Sequence, residues 1–242
     1  MYKRQVETEG IYIGYKYYET RYEDTVLDQG NATTTEGSST GKAWNYVDEV
    51  TYPFGYGLSY TNFETKAEIF KNTEDELTVA ATVTNIGDVR GKEVVQVYVK
   101  APQGKLGNPA RKLIGFAKTR ELAPGEKEEL VIIIPKYDMA SYDDSGVTGH
   151  KSCYVLEEGC YEIFVGSDVR SAVSVGCYEE EFRVIEELEE AYAPVEKFQR
   201  MKAVLLPDGT YQAVTEDVPV RTIDPQAVSY THLRAHETAA NL

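Results

Sequence analysis

Histidine is scarce in this sequence. Of the three in 242 residues, His232 and His236 stand near the end, which leaves His150 as the one imidazole in the body of the chain. A histidine-rich metal centre and a set of histidine catalytic bases are both excluded on inventory, and His150 itself, among turn residues, reads as a surface-loop residue. Positive charge is also in short supply. Lys and Arg number 25 against 40 Asp and Glu, a formal charge of -15, so nucleic-acid phosphates and anionic membrane surfaces are repelled. Long apolar runs are missing too: the longest purely aliphatic stretch, Leu130 to Ile134, falls far below the roughly 18 residues of a membrane span. The opening residues lack the apolar stretch of a secretory signal. We therefore expect no nucleic acid and no membrane as partner, and a cytoplasmic location. Cysteine is limited to Cys153, Cys160 and Cys177, an odd set without the close paired spacing of a zinc site, each in or beside a strand-like stretch. The three read as buried reduced thiols, which fits a reducing compartment.

What is present is a chain 42% hydrophobic with 19 tyrosines, enough for one or two domains of the usual size, about 100 to 200 residues each. Residues 11 to 22 fit two periods: Ile11, Tyr15, Tyr18 and Tyr22 at helical spacing, or Ile11, Ile13, Tyr15 and Tyr17 in strand alternation. From Asp28 to Lys42 small polar residues dominate, the composition of an exposed and mobile loop. Then Tyr52-Pro53-Phe54-Gly55-Tyr56-Gly57-Leu58-Ser59-Tyr60 alternates turn formers with aromatics. A flexible linker has no use for so many rings; this reads as a joint between domains, bent at proline and glycine while Phe54, Tyr56 and Tyr60 stay packed.

Beyond the joint, strand alternation begins. Phe63, Thr65, Ala67 and Ile69, then Leu77, Val79, Ala81 and Val83, lie on single faces. Runs at Val94–Val99, Leu113–Lys118, Glu129–Ile134, Ser152–Leu156, Tyr161–Val165, Ala172–Val175 and Phe182–Ile185 complete seven to nine strands, the count of a sandwich. After it, Leu188, Tyr192, Val195, Phe198 and Met201 fall near helical spacing, which predicts a helical connector. Pro207-Asp208-Gly209-Thr210 predicts a hairpin turn between Ala203–Leu206 and Tyr211–Val214.

The joint, together with Glu9-Gly10-Ile11-Tyr12-Ile13-Gly14-Tyr15-Lys16-Tyr17-Tyr18-Glu19, resembles the end of the α/β sandwich domain of glycoside hydrolase family three, the family of many β-glucosidases. Val83-Thr84-Asn85-Ile86-Gly87-Asp88, Leu113-Ile114-Gly115-Phe116, Leu122-Ala123-Pro124-Gly125-Glu126 and Gly159-Cys160-Tyr161-Glu162-Ile163-Phe164-Val165-Gly166 resemble that family's fibronectin type III-like domain. The resemblance implies a helix at residues 11 to 22 and a mainly β fold: a fibronectin type III-like antiparallel β-sandwich at 63–185, preceded at 6–62 by the tail of an α/β sandwich domain. A helical and hairpin connector at 186–227 would lead toward a catalytic barrel. Residues 1–5 and 228–242 fit neither neighbouring pattern and read as non-native ends, in the manner of translated adapter sequence.

The resemblance implies retaining hydrolysis of terminal β-linked sugars, with a β-glucoside or oligosaccharide as the parent enzyme's substrate and its catalytic domains as partners of this region. Such chemistry needs two carboxyl groups about 5 to 5.5 Å apart. The family's nucleophilic aspartate belongs to the barrel and its acid/base to an earlier segment, and neither is recognisable here, so no catalytic residue carries over. Choosing Glu9 or Asp138 among 40 acidic residues would be arbitrary. No cofactor-binding residue is assigned either: Gly41-Lys42 lacks the leading glycine and the hydroxyl of a phosphate loop, where Glu36 and Ala43 stand, and Gly55-x-Gly57 lacks its third glycine, where Tyr60 stands. Asp138, Asp143, Asp144 and Gly146 miss the spacing of a calcium loop and read as an Asx-rich turn, with no metal assigned. The alternative to a scaffold is a stand-alone carbohydrate-binding or adhesion module, for which the 19 tyrosines would supply stacking faces; most aromatics sit within apolar patterns and Trp44 lies beside the polar loop, which favours packing.

Overall fold

The computed structural model describes residues 10–26, 30–189, 194, 196–207 and 211–220. The ends read as non-native lie outside them, as does 221–227 of the connector. In chain order the elements are α1 (Tyr15–Val26), the single-turn α2 (Tyr46–Glu49), β1 (Phe63–Asn72), β2 (Glu76–Asn85), β3 (Val94–Lys100), β4 (Lys112–Lys118), β5 (Lys127–Pro135), β6 (Ser141–Asp143), β7 (Cys153–Leu156), β8 (Gly159–Gly166), β9 (Val173–Glu180), β10 (Arg183–Glu187), β11 (Gln199–Leu205) and β12 (Tyr211–Asp217).

Seven strands form the sandwich. One sheet runs β1-β2-β5, the other β4-β3-β8-β9, and every pair is antiparallel. The alternation expected from sequence sets the faces. Leu77, Val79, Ala81 and Val83 of β2, with Ile132 and Ile134 of β5, meet Val95, Val97 and Val99 of β3 and Tyr161, Ile163 and Val165 of β8 in a single core. Each such aliphatic side chain contributes about 1.5 to 3 kcal/mol by leaving water. Gly115 stands in β4 because the strand passes close to β5: a Cβ there would meet Ile134 Cγ1 at 3.0 Å and Ile132 Cγ2 at 3.1 Å. Beside the sandwich, β6, β7 and β10 make a small third sheet, three short strands more than the seven.

β3 differs from its neighbours because both of its faces are covered. Val97 and Tyr98 point to opposite sides, yet both are fully buried. Tyr98 belongs to a second, smaller cluster with Phe164 and Val169, against which Tyr15, Leu113 and Ala172 pack. The outer face of the four-stranded sheet is thus a packing surface.

Residues 15–26 form a helix, as the resemblance implied, while Ile11 and Ile13 stay outside it and exposed. The connector differs from expectation. Among the described residues of 186–201 there is no helix: β10 runs on to Glu187 and β11 already includes Met201. Glu186, Glu187, Glu189 and Glu190 repel one another at helical spacing, and Pro194 supplies no N–H and clashes with the preceding turn. Tyr192 and Val195 lie outside the described residues. The hairpin forms, with Leu205 opposite Tyr211 and Gln199 opposite Asp217; its tip, 208–210, is not described.

Candidate functional site

Among the described residues, a dense polar construction lies at the joint between α1 with its following segment and the outer face of the four-stranded sheet. Helical spacing decides which side chains reach it. Tyr15, Glu19, Tyr22 and Glu23 recur at i, i+4, i+7 and i+8, one stripe of α1. At its start, the Tyr15 ring stacks on Phe54 with centroids 4.0 Å apart, and its hydroxyl accepts the Leu113 amide at 2.9 Å. One turn on, Thr20 donates to the Lys16 carbonyl and accepts the Ala110 amide at 2.9 Å.

Glu19 is the buried centre, 1% exposed. Tyr46 donates to its Oε1 at 2.5 Å and Arg170 to its Oε2 at 2.9 Å. The Arg170 guanidinium also lies 3.6 Å from the Tyr22 ring centroid, and Tyr22 meets Tyr46 edge to face. A carboxylate so buried is tolerable because a cation and a hydroxyl replace its water. Burial, then the hydrogen bond to Glu19, pushes the Tyr46 phenol up, so Tyr46 stays a donor. At the last turn Glu23 pairs with Lys100 and, at 3.4 Å, with Arg111, whose guanidinium covers the Phe164 ring at 3.5 Å. Burial lowers both Lys100 and Arg111 from their ordinary values. Burial alone pushes the neighbouring Asp24 carboxyl up to about 6.

The glycine-aromatic segment is fastened by Gln96. Its amide donates to the carbonyls of Gly55 at 3.0 Å and Ser167 at 2.5 Å, and its oxygen accepts from Tyr98. Gly55 has φ +83°, and a Cβ there would lie 2.1 Å from Gln96 Oε1, so only glycine fits. The Phe54 carbonyl accepts the Val169 amide at 3.0 Å. Where the segment enters β1, Thr61 donates to Asn85 Oδ1 at 2.7 Å while the Asn85 amide donates to the carbonyls of Val89 and Leu122.

Several expectations need correction here. Of the three rings expected to be packed, Phe54 stacks on Tyr15 and Tyr56 on Tyr52, but Tyr60 is 98% exposed: the bend is held by backbone and glutamine contacts, which leave its outer aromatics uncovered. Trp44, in line with the packing role favoured for the aromatics, is buried under Arg21. The loop before it is exposed as read, but not loose: the Arg21 fork donates to the carbonyls of Ala32, Thr34 and Glu36. Cys160 and Cys177 are not buried thiols; they form a disulfide across β8 and β9 near the surface, and only Cys153 is a free buried cysteine.

The acidic turn is organised by its own donors. Asp143 accepts from the amides of Ser145, Gly146 and Thr148 and from the hydroxyls of Ser145 and Thr148. Burial pushes its carboxyl up, but these bonds outweigh burial and hold it below the usual aspartate value. Asp144 is taken by Arg200 of the hairpin in a two-pronged pair. His150 stacks on Phe182.

Residues 93–169 match the fibronectin type III-like domain family. A β-glucosidase of Ruminococcus albus is 42% identical over 97% of this chain and 22% of its own length, and β-glucosidase A of Butyrivibrio fibrisolvens is 39% identical over 89% and 25%. The solved β-glucosidase of Paenibacillus barengoltzii superposes with a TM-score of 0.74 at 45% identity, over 91% of this chain and 22% of its own. The chain is a portion of a glycoside hydrolase family three protein. It spans about a quarter or less of the relatives it matches. This family-three portion consists of the fibronectin type III-like sandwich and the aromatic segment docked on it. Sequence reasoning found the segment but missed Glu19, Gln96 and Arg170, the side chains that hold it. The available signal was polarity out of place: Gln96 interrupts Val94–Val99, and Glu19 sits among tyrosines on the packed stripe of α1.

Proposed function

We propose that this chain is the non-catalytic scaffold of a β-glucosidase-like glycoside hydrolase acting on terminal β-linked sugars, and that its partners are the catalytic domains of the same parent chain. The observation that carries the reading is the joint: a buried Glu19–Arg170–Tyr46 cluster and the Gln96 clamp fix an adjoining segment onto the sandwich. Sites that need geometry held to fractions of an ångström depend on such support. The chain alone should not hydrolyse an aryl β-glucoside, whereas a parent enzyme carrying it should, and Gln96→Ala in that parent should lower its melting temperature and its activity together. Hydrolysis by the isolated chain, or a parent indifferent to Gln96→Ala, would refute the scaffold role.

One observation favours the second reading, a carbohydrate-binding module. Tyr52 and Tyr56 stack on each other at the surface and Leu58 and Tyr60 are open beside them, rings of the kind that sugars cover. Affinity electrophoresis through soluble β-glucan separates the two: a module is retarded and a scaffold is not.

A further inference from the structure

The β8–β9 hairpin carries a group of side chains that the scaffold role does not use. Strand alternation sends Tyr161, Ile163 and Tyr178 into the core and the residues between them outward. The register sets Cys160 opposite Glu179 and Glu162 opposite Cys177. One outer face therefore collects two sulfurs and a carboxylate, and the ligand atoms of Cys160, Cys177 and Glu179 lie within 4.8 Å of one another. Thiolates around zinc, with Zn–S about 2.3 Å, stand about 3.8 Å apart in a tetrahedron, so small side-chain rotations would suffice. β9 is the edge strand of its sheet, and Cys177 and Glu179 are exposed, so an ion can enter from solvent.

Two further points favour a ligand set over a plain staple. The Glu179 carboxylate has no hydrogen-bond or ion-pair partner among the described residues, and a disulfide has no use for a carboxylate at its side. β8 and β9 are also already paired along their length, so a cross-link there adds little order. Glu162, by contrast, faces the positive charges of Lys100 and Arg111, which leaves the fourth position to water.

We propose that, once the disulfide is reduced, Cys160, Cys177 and Glu179 bind one thiophilic divalent cation of the zinc type, and that oxidation back to the disulfide closes the site. A dithiol reductant supplies two electrons and two protons, its own sulfurs joining as the Cys160–Cys177 bond breaks. The cation then displaces one proton from each thiol, forming two metal–sulfur bonds and one metal–oxygen bond to Glu179. A disulfide oxidant reverses the first step after the ion leaves. This inference is independent of the glycosidase reading.

The test is a cobalt titration of the full 242-residue chain, reduced with a phosphine, followed by displacement with zinc. One equivalent of cobalt should give a thiolate-to-metal charge-transfer band that one equivalent of zinc removes, and the oxidised chain should give none. Cys160→Ser and Cys177→Ser should each abolish the band. Glu179→Gln should weaken binding by at least the roughly tenfold that loss of even an outer-shell partner costs, and Cys153→Ser should bind as the parent does. Absence of the band in the reduced parent chain overturns the site. So does its survival in either serine variant at position 160 or 177, its loss in Cys153→Ser, or undiminished affinity in Glu179→Gln.

Discussion

Replacing Arg170 by Met should undock the α1 segment before the sandwich melts. Glu19 is 1% exposed and Arg170 supplies its only cation among the described residues, while the Arg170 side chain keeps 30% of its own exposure. Breaking a fully buried pair from one side costs roughly 3 to 5 kcal/mol, because the orphaned charge stays buried; partial access of water to Arg170 sets the expectation at the low end, about 3 kcal/mol. With a urea slope of about 1 to 3 kcal/mol per molar, that is a shift of about 1 to 3 M in the midpoint. The protein provides its own local reporter. Trp44 is the single tryptophan and lies buried in the segment that α1 anchors, so its fluorescence follows the joint while far-ultraviolet circular dichroism follows the strands. In Arg170→Met the Trp44 transition should move ahead of the dichroism transition. Adding Glu19→Gln, which removes the stranded charge, should recover part of the loss. Coincident transitions in Arg170→Met, or a Trp44 midpoint that does not move, would show that the Glu19 cluster does not hold the joint.

Gly55→Ala should cost about 2 to 3 kcal/mol, from the left-handed backbone and the displaced Gln96 bonds, read as an earlier Trp44 transition; an unchanged melt refutes the clamp. Val97→Asp should lose roughly 4 kcal/mol or more by burying an unpaired carboxylate in the main core, read as an earlier urea midpoint; an unchanged midpoint refutes the burial of that position. Asp24 sets a pH dependence. Its folded pKa of about 6 exceeds the ordinary 3.8, so its contribution is complete below about pH 4 and is lost as pH rises through 6. Asp24→Asn should gain roughly 1 kcal/mol at pH 7, after allowance for solvent screening, and flatten urea midpoints between pH 4 and 7; equal slopes in variant and parent would contradict this.

The sandwich was legible because its signal is local and periodic. Alternation along Leu77 to Val83 named the inward face of β2 without knowledge of its partners. β3 shows where that method stops. The run Val94–Val99 marked a strand, but not which of its faces is inward: Val97 lies in the main core and Tyr98 on the opposite face is equally buried, a fact that depends on what docks there. The joint was recognisable as a place, from its glycines and rings, but not as a mechanism, because Glu19 and Arg170 are 151 positions apart and no spacing rule links them. The described part of the connector misled for the opposite reason: apolar spacing near 3.6 was present, yet β10 runs on to Glu187 and β11 takes in Met201. The disulfide escaped notice since Cys160 and Cys177, 17 positions apart, meet only through the register of two strands.

The bond from Thr61 to Asn85 has a mechanical consequence. A body held at one point swivels in every direction, and a body held at two still turns about the line through them. Thr61 on Asn85 is one such point, at the end of β2, and Gly55 on Gln96 is a second, on the outer sheet face. The pairs of Glu19 with Arg170 and Glu23 with Lys100 add a third, reached through α1. No free rotation axis is left, so a torque on whatever continues from α1 is carried into β2, β3 and β8 instead of being spent in a hinge.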